Sequence, residues 1–294
     1  MFKGSIVALI TPFSEDRLDE ANYIKLINFH LKNGTNGIVP AGTTGESPTL
    51  THLEHKRVIE ISIKECKGKI PVIAGTGSNS TAEAIELSKH AEKSGADGLL
   101  IVTPYYNKPT QEGLYQHYKK INDNVSVPII IYNIPSRSVI DMSIETMARL
   151  SELKNIVGVK DATGDLNRVD QTLSLIGKDF IQLTGEDNNV LEFNRRGGVG
   201  CISVTANVAP KLCSTFQEYS KQKDKPELQI KASEINKLLS PLHKALFIES
   251  NPSPVKYAAS LLDLAKEDVR LPLVKVTDST KASIRDALEY AKLL

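Results

Sequence analysis

The chain has 294 residues, 40% of them hydrophobic, enough to bury one large core or a core with an appendage. Its 36 Lys and Arg nearly cancel 35 Asp and Glu, and no basic stripe with interleaved aromatics runs along it, so the footprint of a nucleic-acid-binding protein is missing. Cys66, Cys201 and Cys213 lack metal or redox spacing, no leader-like apolar stretch follows Met1, and no apolar run could span a bilayer; the expectation is a cytoplasmic protein with free thiols.

Short apolar runs then recur in chain order, at residues 6–10, 37–42, 71–75, 98–102, 128–132, 156–160, 180–184 and 201–204. Near-continuous apolar runs of this length read as parallel strands buried on both faces. The segments between them read as helices. Ile24, Ile27 and Leu31 form a stripe that ends at a C-capping Gly34, and Leu166, Val169, Leu173 and Ile176 form another before Gly177. Thr51 with Glu54, and Ser80 with Glu83, each fit a capping box.

Eight strands alternating with helices over about 210 residues predict an α/β chain folded as a (β/α)8 TIM barrel. An open doubly wound sheet is the alternative, but no Gly-x-Gly-x-x-Gly follows the first strand. From about residue 210 the strand pattern stops. Helices are expected near 211–219, 227–246, 254–264 and 279–293, with Pro226, Pro241, Pro252, Pro254 and Pro272 as punctuation. The predicted organisation is a catalytic barrel over residues 1–224 and a C-terminal helical appendage over 225–294, with the mixed charges of 221–225 as a solvated boundary.

Active sites of such barrels lie at the carboxyl ends of the strands. The ends collected here are Gly42-Thr43-Thr44-Gly45-Glu46, Thr103-Pro104-Tyr105-Tyr106, Tyr132-Asn133-Ile134-Pro135-Ser136-Arg137, Lys160-Asp161, and Gly185-Glu186-Asp187. Lys160 is the most informative residue. At the end of a buried strand its ammonium is disfavoured by desolvation, which exposes an amine able to attack a carbonyl; the competing reading is a stem that snorkels to water. Gly42 to Gly45 reads either as a plain turn or as a row of amides cradling a small carboxylate. Tyr132 is a rim aromatic or a proton carrier, and Arg137 a loop charge or a carboxylate clamp. The six histidines make no ligand constellation with carboxylates, so no metal is expected. Strand seven ends in acid, which argues against a phosphorylated substrate.

Three of these motifs, 42–46, 132–137 and 157–164, resemble the signatures of the dihydrodipicolinate (4-hydroxy-tetrahydrodipicolinate) synthase family, and the similarity runs nearly end to end, including 71–77, 102–107, 200–207 and 251–256. N-acetylneuraminate lyases and keto-acid aldolases share the lysine and tyrosine. The second threonine, Thr43, and Arg137 match the synthases instead. The resemblance implies a Schiff-base lyase of lysine biosynthesis through diaminopimelate, with no cofactor and no metal. Lys160 forms an imine with pyruvate, whose carboxylate rests on Thr43 and Thr44. The derived enamine adds to L-aspartate 4-semialdehyde held by Arg137. Thr44, Tyr132 and Tyr106 form a proton relay, Tyr106 arriving from a neighbouring subunit, and the main chain at Gly185 and Ile202 lines the pocket. The resemblance also implies a homotetramer built from tight dimers. A second site for the inhibitor L-lysine matches Ser47, His52, His55, Asn79, Glu83 and Tyr105, with His52 and His55 on one helical face. Pro48 departs from the alanine of well-known lysine-sensitive members.

Overall fold

A computed structural model describes residues 2–294. Its eight parallel strands are β1 (Gly4–Ala8), β2 (Gly37–Val39), β3 (Ile73–Gly75), β4 (Gly98–Val102), β5 (Ile129–Asn133), β6 (Ile156–Asp161), β7 (Ile181–Thr184) and β8 (Gly200–Ser203). Each pairs with the next in sequence, β8 returns to β1, and a single bridge between Ile38 and Val72 joins β2 to β3 and closes the ring. Alternation explains why the strands read as unbroken apolar runs. Ile6, Ala8, Val39, Ile73, Leu100, Ile130, Leu183 and Ile202 cluster inside the ring. Their neighbours Val7, Ile38, Leu99, Ile129, Ile131 and Val159 belong to the separate cluster between strands and helices.

Eight helices wrap the ring: α1 (Glu20–Lys32), α2 (His52–Cys66), α3 (Thr81–Ser94), α4 (Gln111–Asn122), α5 (Ile144–Ser151), α6 (Asn167–Leu175), α7 (Val190–Arg196) and α8 (Pro210–Ser220). The appendage is α9 (Pro226–Ala245), α10 (Ser253–Leu261) and α11 (Asp278–Tyr290). It does not make a core of its own. Leu239, Leu242, Leu246, Val255 and Ile284 join the same cluster as Tyr23 and Leu26 of α1. Among the described residues no helix is long and apolar enough to cross a membrane.

Several local expectations change. Thr51 and Glu54 make both bonds of a capping box, but at Ser80 only the cap hydroxyl takes part, because the Glu83 carboxylate bonds Ser78 and His52 instead. The predicted stripe of α6 is displaced. Arg168, Val169 and Thr172 face inward and Leu173 is exposed, since Arg168 must reach the buried Asp161. Pro241 does not punctuate; it lies inside α9, where Leu239, Leu242 and Ala245 bury the helix on either side of the missing amide bond. A small antiparallel hairpin, Phe13–Ser14 with Arg17–Leu18, and a helical turn at Pro135–Ser138 are additions.

Buried histidines make the fold acid-sensitive. Burial pushes His30 down to about 3 and His117 down to about 4. Above the ordinary histidine range both are neutral folded or unfolded. As pH falls from about 6.5 towards those folded values, only the unfolded chain takes up the protons, so stability is lost on acidification. Urea titrations at pH 7.5 and 5 should show a fall of roughly 2 kcal/mol for each such histidine, and His30→Gln should remove its share. An unchanged midpoint difference in that variant would mean His30 is protonated in the folded protein.

Candidate active site

Lys160 sits where β6 meets the carboxyl end of the ring, in register with Tyr132 of β5 and Leu183 of β7. It is buried, and its Nζ stands 4.1 Å above the centre of the Tyr132 ring. This geometry excludes snorkelling and aims the amine across the barrel mouth. Gly185 makes room for it. A Cβ at that position would come within 2.9 Å of Lys160 Cε and 2.7 Å of the Ala162 Cβ, so only glycine lets the lysine stem pass.

Behind this pair lies a polar network that the apolar periodicity did not reveal. Arg168 donates from Nε to Asp161 (2.8 Å) and from Nη2 to the Met142 carbonyl (2.8 Å). Asn133 donates to Asp141 (2.6 Å) and accepts from the Met142 amide (3.1 Å). Asn133 follows Tyr132 and Asp161 follows Lys160, so the network clamps together the strand ends that carry Tyr132 and Lys160. The apolar stripe read from the sequence (Leu166, Val169, Leu173 and Ile176) does not include Arg168, so periodicity gave no signal for it.

The loop after β2 is held from the opposite side. Thr44 is buried, and its hydroxyl accepts from Asn251 Nδ2 (2.9 Å). Among the described residues no hydrogen bond joins Thr44 to Tyr132. Thr43 is half-buried beside it. Glu46, in a left-handed conformation (φ 56°), accepts from Lys256 Nζ (2.5 Å) and from the Arg270 amide (3.0 Å). Both members of the Glu46–Lys256 pair are sealed from water. Burial pushes the Lys256 ammonium down to about 8 while Glu46 holds it up. Arg270 continues the chain of contacts to Glu54 (2.6 and 2.7 Å), and its hydrogen bonds are the chief reason that the Glu54 carboxyl is held down at about 2.

Strands β7 and β8 close the site. Asp187 accepts from Ser203 Oγ (2.5 Å) and from the amides of Val204 (2.9 Å) and Thr205 (3.0 Å), which fixes the exit of β8 beside Gly185 and Ile202. Burial, with Asp187 next to it, raises the carboxyl of Glu186, and Lys160 opposes the rise. Arg137 is exposed at the edge of a cleft of about 660 Å³ that Phe247, Glu249 and Val274 also line. Its Nη2 donates to the Asn251 carbonyl at 3.3 Å. Tyr106 is not in this cavity. It is 87% exposed and left-handed (φ 71°), a strained conformation for an aromatic residue. Among the described residues no cluster of three or more His, Cys, Asp or Glu could hold a metal ion.

Some of the residues expected to form a second site lie together. Glu83 lies between His52 Nε2 (2.9 Å) and Ser78. Burial, then the charge of Glu83, raises the half-buried Tyr105 phenol. Asn79 accepts at its carbonyl from Asn107 (2.8 Å), and Ser47 opens the turn that leads to α2. The two histidines do not act together. His52 points out, whereas His55 is buried with Nε2 on the Gly75 carbonyl (2.8 Å).

Comparison with known proteins gives one consistent family. The dihydrodipicolinate synthetase family matches residues 1–291. The 4-hydroxy-tetrahydrodipicolinate synthase of Pelagibacter ubique is 68% identical over 294 residues, all of both chains. Among solved structures, the dihydrodipicolinate synthase of Acinetobacter baumannii complexed with pyruvate superposes with a TM-score of 0.96 at 45% identity over 100% of both chains. The enzyme of Cyanidioschyzon merolae with lysine bound superposes at 0.95 and 37% identity, covering 100% of this chain and 99% of that one.

The Glu46–Lys256 pair yields a direct test. Lys256→Met leaves a carboxylate sealed in the fold without its partner, which should cost about 3–5 kcal/mol in urea unfolding. Adding Glu46→Gln removes the stranded charge and should recover a large part of the loss. Equal stability of the single and double variants would mean that no unpaired charge is stranded once Lys256 is gone.

Proposed function

The chain belongs to the dihydrodipicolinate synthetase family, and on that premise we infer that its barrel condenses pyruvate with L-aspartate 4-semialdehyde through an imine on Lys160, the reaction of the 4-hydroxy-tetrahydrodipicolinate synthases it resembles. The observation that carries the reading is the buried Lys160 amine, held 4.1 Å above the Tyr132 ring at the carboxyl end of the barrel. The neutral amine attacks the keto carbon of pyruvate and water leaves, giving the imine. Thr43 and Thr44 hold the carboxylate through hydroxyl and main-chain groups, beside the backbone of Gly185 and Ile202. Loss of a methyl proton gives an enamine, whose carbon adds to the aldehyde while Arg137 holds that substrate's carboxylate. The substrate's own amine then attacks the imine carbon, closing the ring and releasing Lys160. Tyr132 carries protons in this scheme, with Thr44 as its neighbour in the relay. The reaction belongs to lysine biosynthesis through diaminopimelate, in the cytoplasm.

Tyr106 completes the relay from a second copy of the chain. An aromatic held outward on a strained backbone fits a residue whose partner is another subunit, and the assembly is a homotetramer of tight dimers, which its mass in solution tests. L-lysine is the inhibitor read by the cluster around Glu83. Glu83 takes an ammonium, Ser47 and Asn79 supply acceptors, and Tyr105 borders the aliphatic stem. His52 must yield its bond to Glu83. His55 is committed to Gly75 and shapes the pocket from within the fold.

One experiment tests the chemistry. Borohydride with pyruvate should add one reduced pyruvate to Lys160, and Lys160→Ala should lose the adduct. Arg137→Ala should keep the adduct yet lose roughly ten- to hundredfold in kcat/KM for the semialdehyde, the worth of a charge-assisted bond of about 1.5–3 kcal/mol. An adduct on another lysine, or equal loss of both steps, would contradict the assignment.

Inhibition is tested by steady-state rates in millimolar lysine. It should be partial and not competitive with pyruvate, and Glu83→Ala should relieve it while most activity remains. Full activity of the unmodified protein under these conditions would remove the second site.

A further inference from the structure

We propose that Asn251 is a positioning residue that sets the direction in which the Thr44 hydroxyl gives its proton, and that its main chain also seats Arg137. The inference rests on the reading of Lys160, Thr44 and Tyr132 as the groups that form and deprotonate a pyruvate imine. Asn251 belongs to the appendage, 207 residues from Thr44 along the chain, and is buried where the two meet.

Its Nδ2 donates to Thr44 Oγ1 at 2.9 Å. An amide NH2 can only donate, whereas a hydroxyl has one proton to give and two lone pairs to receive. With one lone pair occupied by Asn251, the Thr44 proton cannot be directed there and is left for the relay with Tyr132. The other end of the same amide is informative. Asn251 Oδ1 is buried and has no hydrogen-bond partner among the described residues. Turning the amide over would put Oδ1 on Thr44, draw its proton away from the relay, and bury an unpartnered Nδ2 instead. An unsatisfied buried acceptor is uncommon in a folded protein. Here it is the accompaniment of keeping a pure donor on Thr44. The carbonyl of the same residue accepts from Arg137 Nη2 at 3.3 Å. One residue therefore touches the group that serves the pyruvate half and the group that serves the aldehyde half. Five residues on, the Lys256–Glu46 pair pins its segment to the loop that carries Thr44.

The proton step can be read without the second substrate, as exchange of pyruvate methyl protons for deuterium followed by NMR. Asn251→Asp keeps the side chain's shape but offers Thr44 only acceptors. It should leave borohydride trapping at Lys160 intact and slow the exchange about tenfold or more, a loss within the range of general acid–base catalysis. The rate should recover as pH is lowered and the introduced carboxyl takes up a proton, a profile that a merely structural role would not produce. In a Thr44→Val background the same substitution should cost less than about twofold, because the two residues act as a unit.

Exchange at the wild-type rate in Asn251→Asp, or losses that multiply in the double variant, would overturn the proposal. Should Asn251→Asp fail to fold, Asn251→Ala, which frees the Thr44 hydroxyl to rotate, takes its place in the same cycle, and the same two results would overturn the proposal. Wild-type exchange without consumption of L-aspartate 4-semialdehyde would sink the substrate assignment alone, and absence of exchange in the wild type would overturn both readings.

Discussion

A carboxylate and an ammonium meet 2.5 Å apart with no access to water, and they come from opposite ends of the chain. Glu46 leaves β2 in a left-handed conformation, and Lys256 arrives on α10 of the appendage. Removing two charges from water is costly, and the cost is offset only if each finds a full set of partners. Glu46 has the Lys256 ammonium on one oxygen and the Arg270 amide on the other; Lys256 has in addition the face of Phe13, 4.1 Å away. These demands leave little freedom in how the appendage sits on the barrel. They also fix the segment immediately after Thr43 and Thr44.

The same logic, with milder desolvation, governs the other side of the cavity. Arg168 and Asp161 are nearly buried; Arg168 also donates to the Met142 carbonyl in the loop between β5 and α5, and Asp161 accepts from the amide and hydroxyl of Thr163. Lys160 and Tyr132 are held by groups one residue further on, so the two side chains keep their spacing without being tied up by hydrogen bonds of their own. The lysine amine is thus positioned by packing, by the aromatic face below it and by the absence of a side chain at Gly185. Polar clamps surround the barrel mouth while the Lys160 amine itself stays uncommitted.

Much of this was legible in the sequence because each strand is buried on both faces, so apolar runs marked all eight strands to within a few residues. Lys160, Tyr132 and Arg137 stand out in the sequence by lying at or just past the ends of those runs. What stayed hidden depends on pairing across long sequence distances. Nothing local to Glu46 announces Lys256, and nothing near Thr44 announces Asn251, although both lie in the motif 251–256 that carries the family resemblance. The displaced face of α6 has the same origin. Hydrophobic periodicity assigned Leu173 to the core, whereas the need to neutralise Asp161 turned Arg168 inward. Glu83 shows that a correct cap spacing does not compel the second half of the box when a histidine and a serine compete for the carboxylate.

The ring has a seam. Between most neighbours the strands share a ladder, but β2 and β3 meet at one bridge, Ile38 with Val72, helped by the flanking bonds from Ile38 to Pro71 (3.0 Å) and from Gly75 to Pro40 (3.0 Å). In a closed cylinder the joint with the fewest crosslinks is the one that breathes first, well before the whole domain unfolds. The seam runs up to the loop bearing Thr43 and Thr44, which the Glu46–Lys256 contact ties to the appendage. The barrel can therefore tolerate a loose joint at its wall while its mouth keeps a constant shape, and slow amide exchange in this molecule is expected to grade from that joint outward around the cylinder.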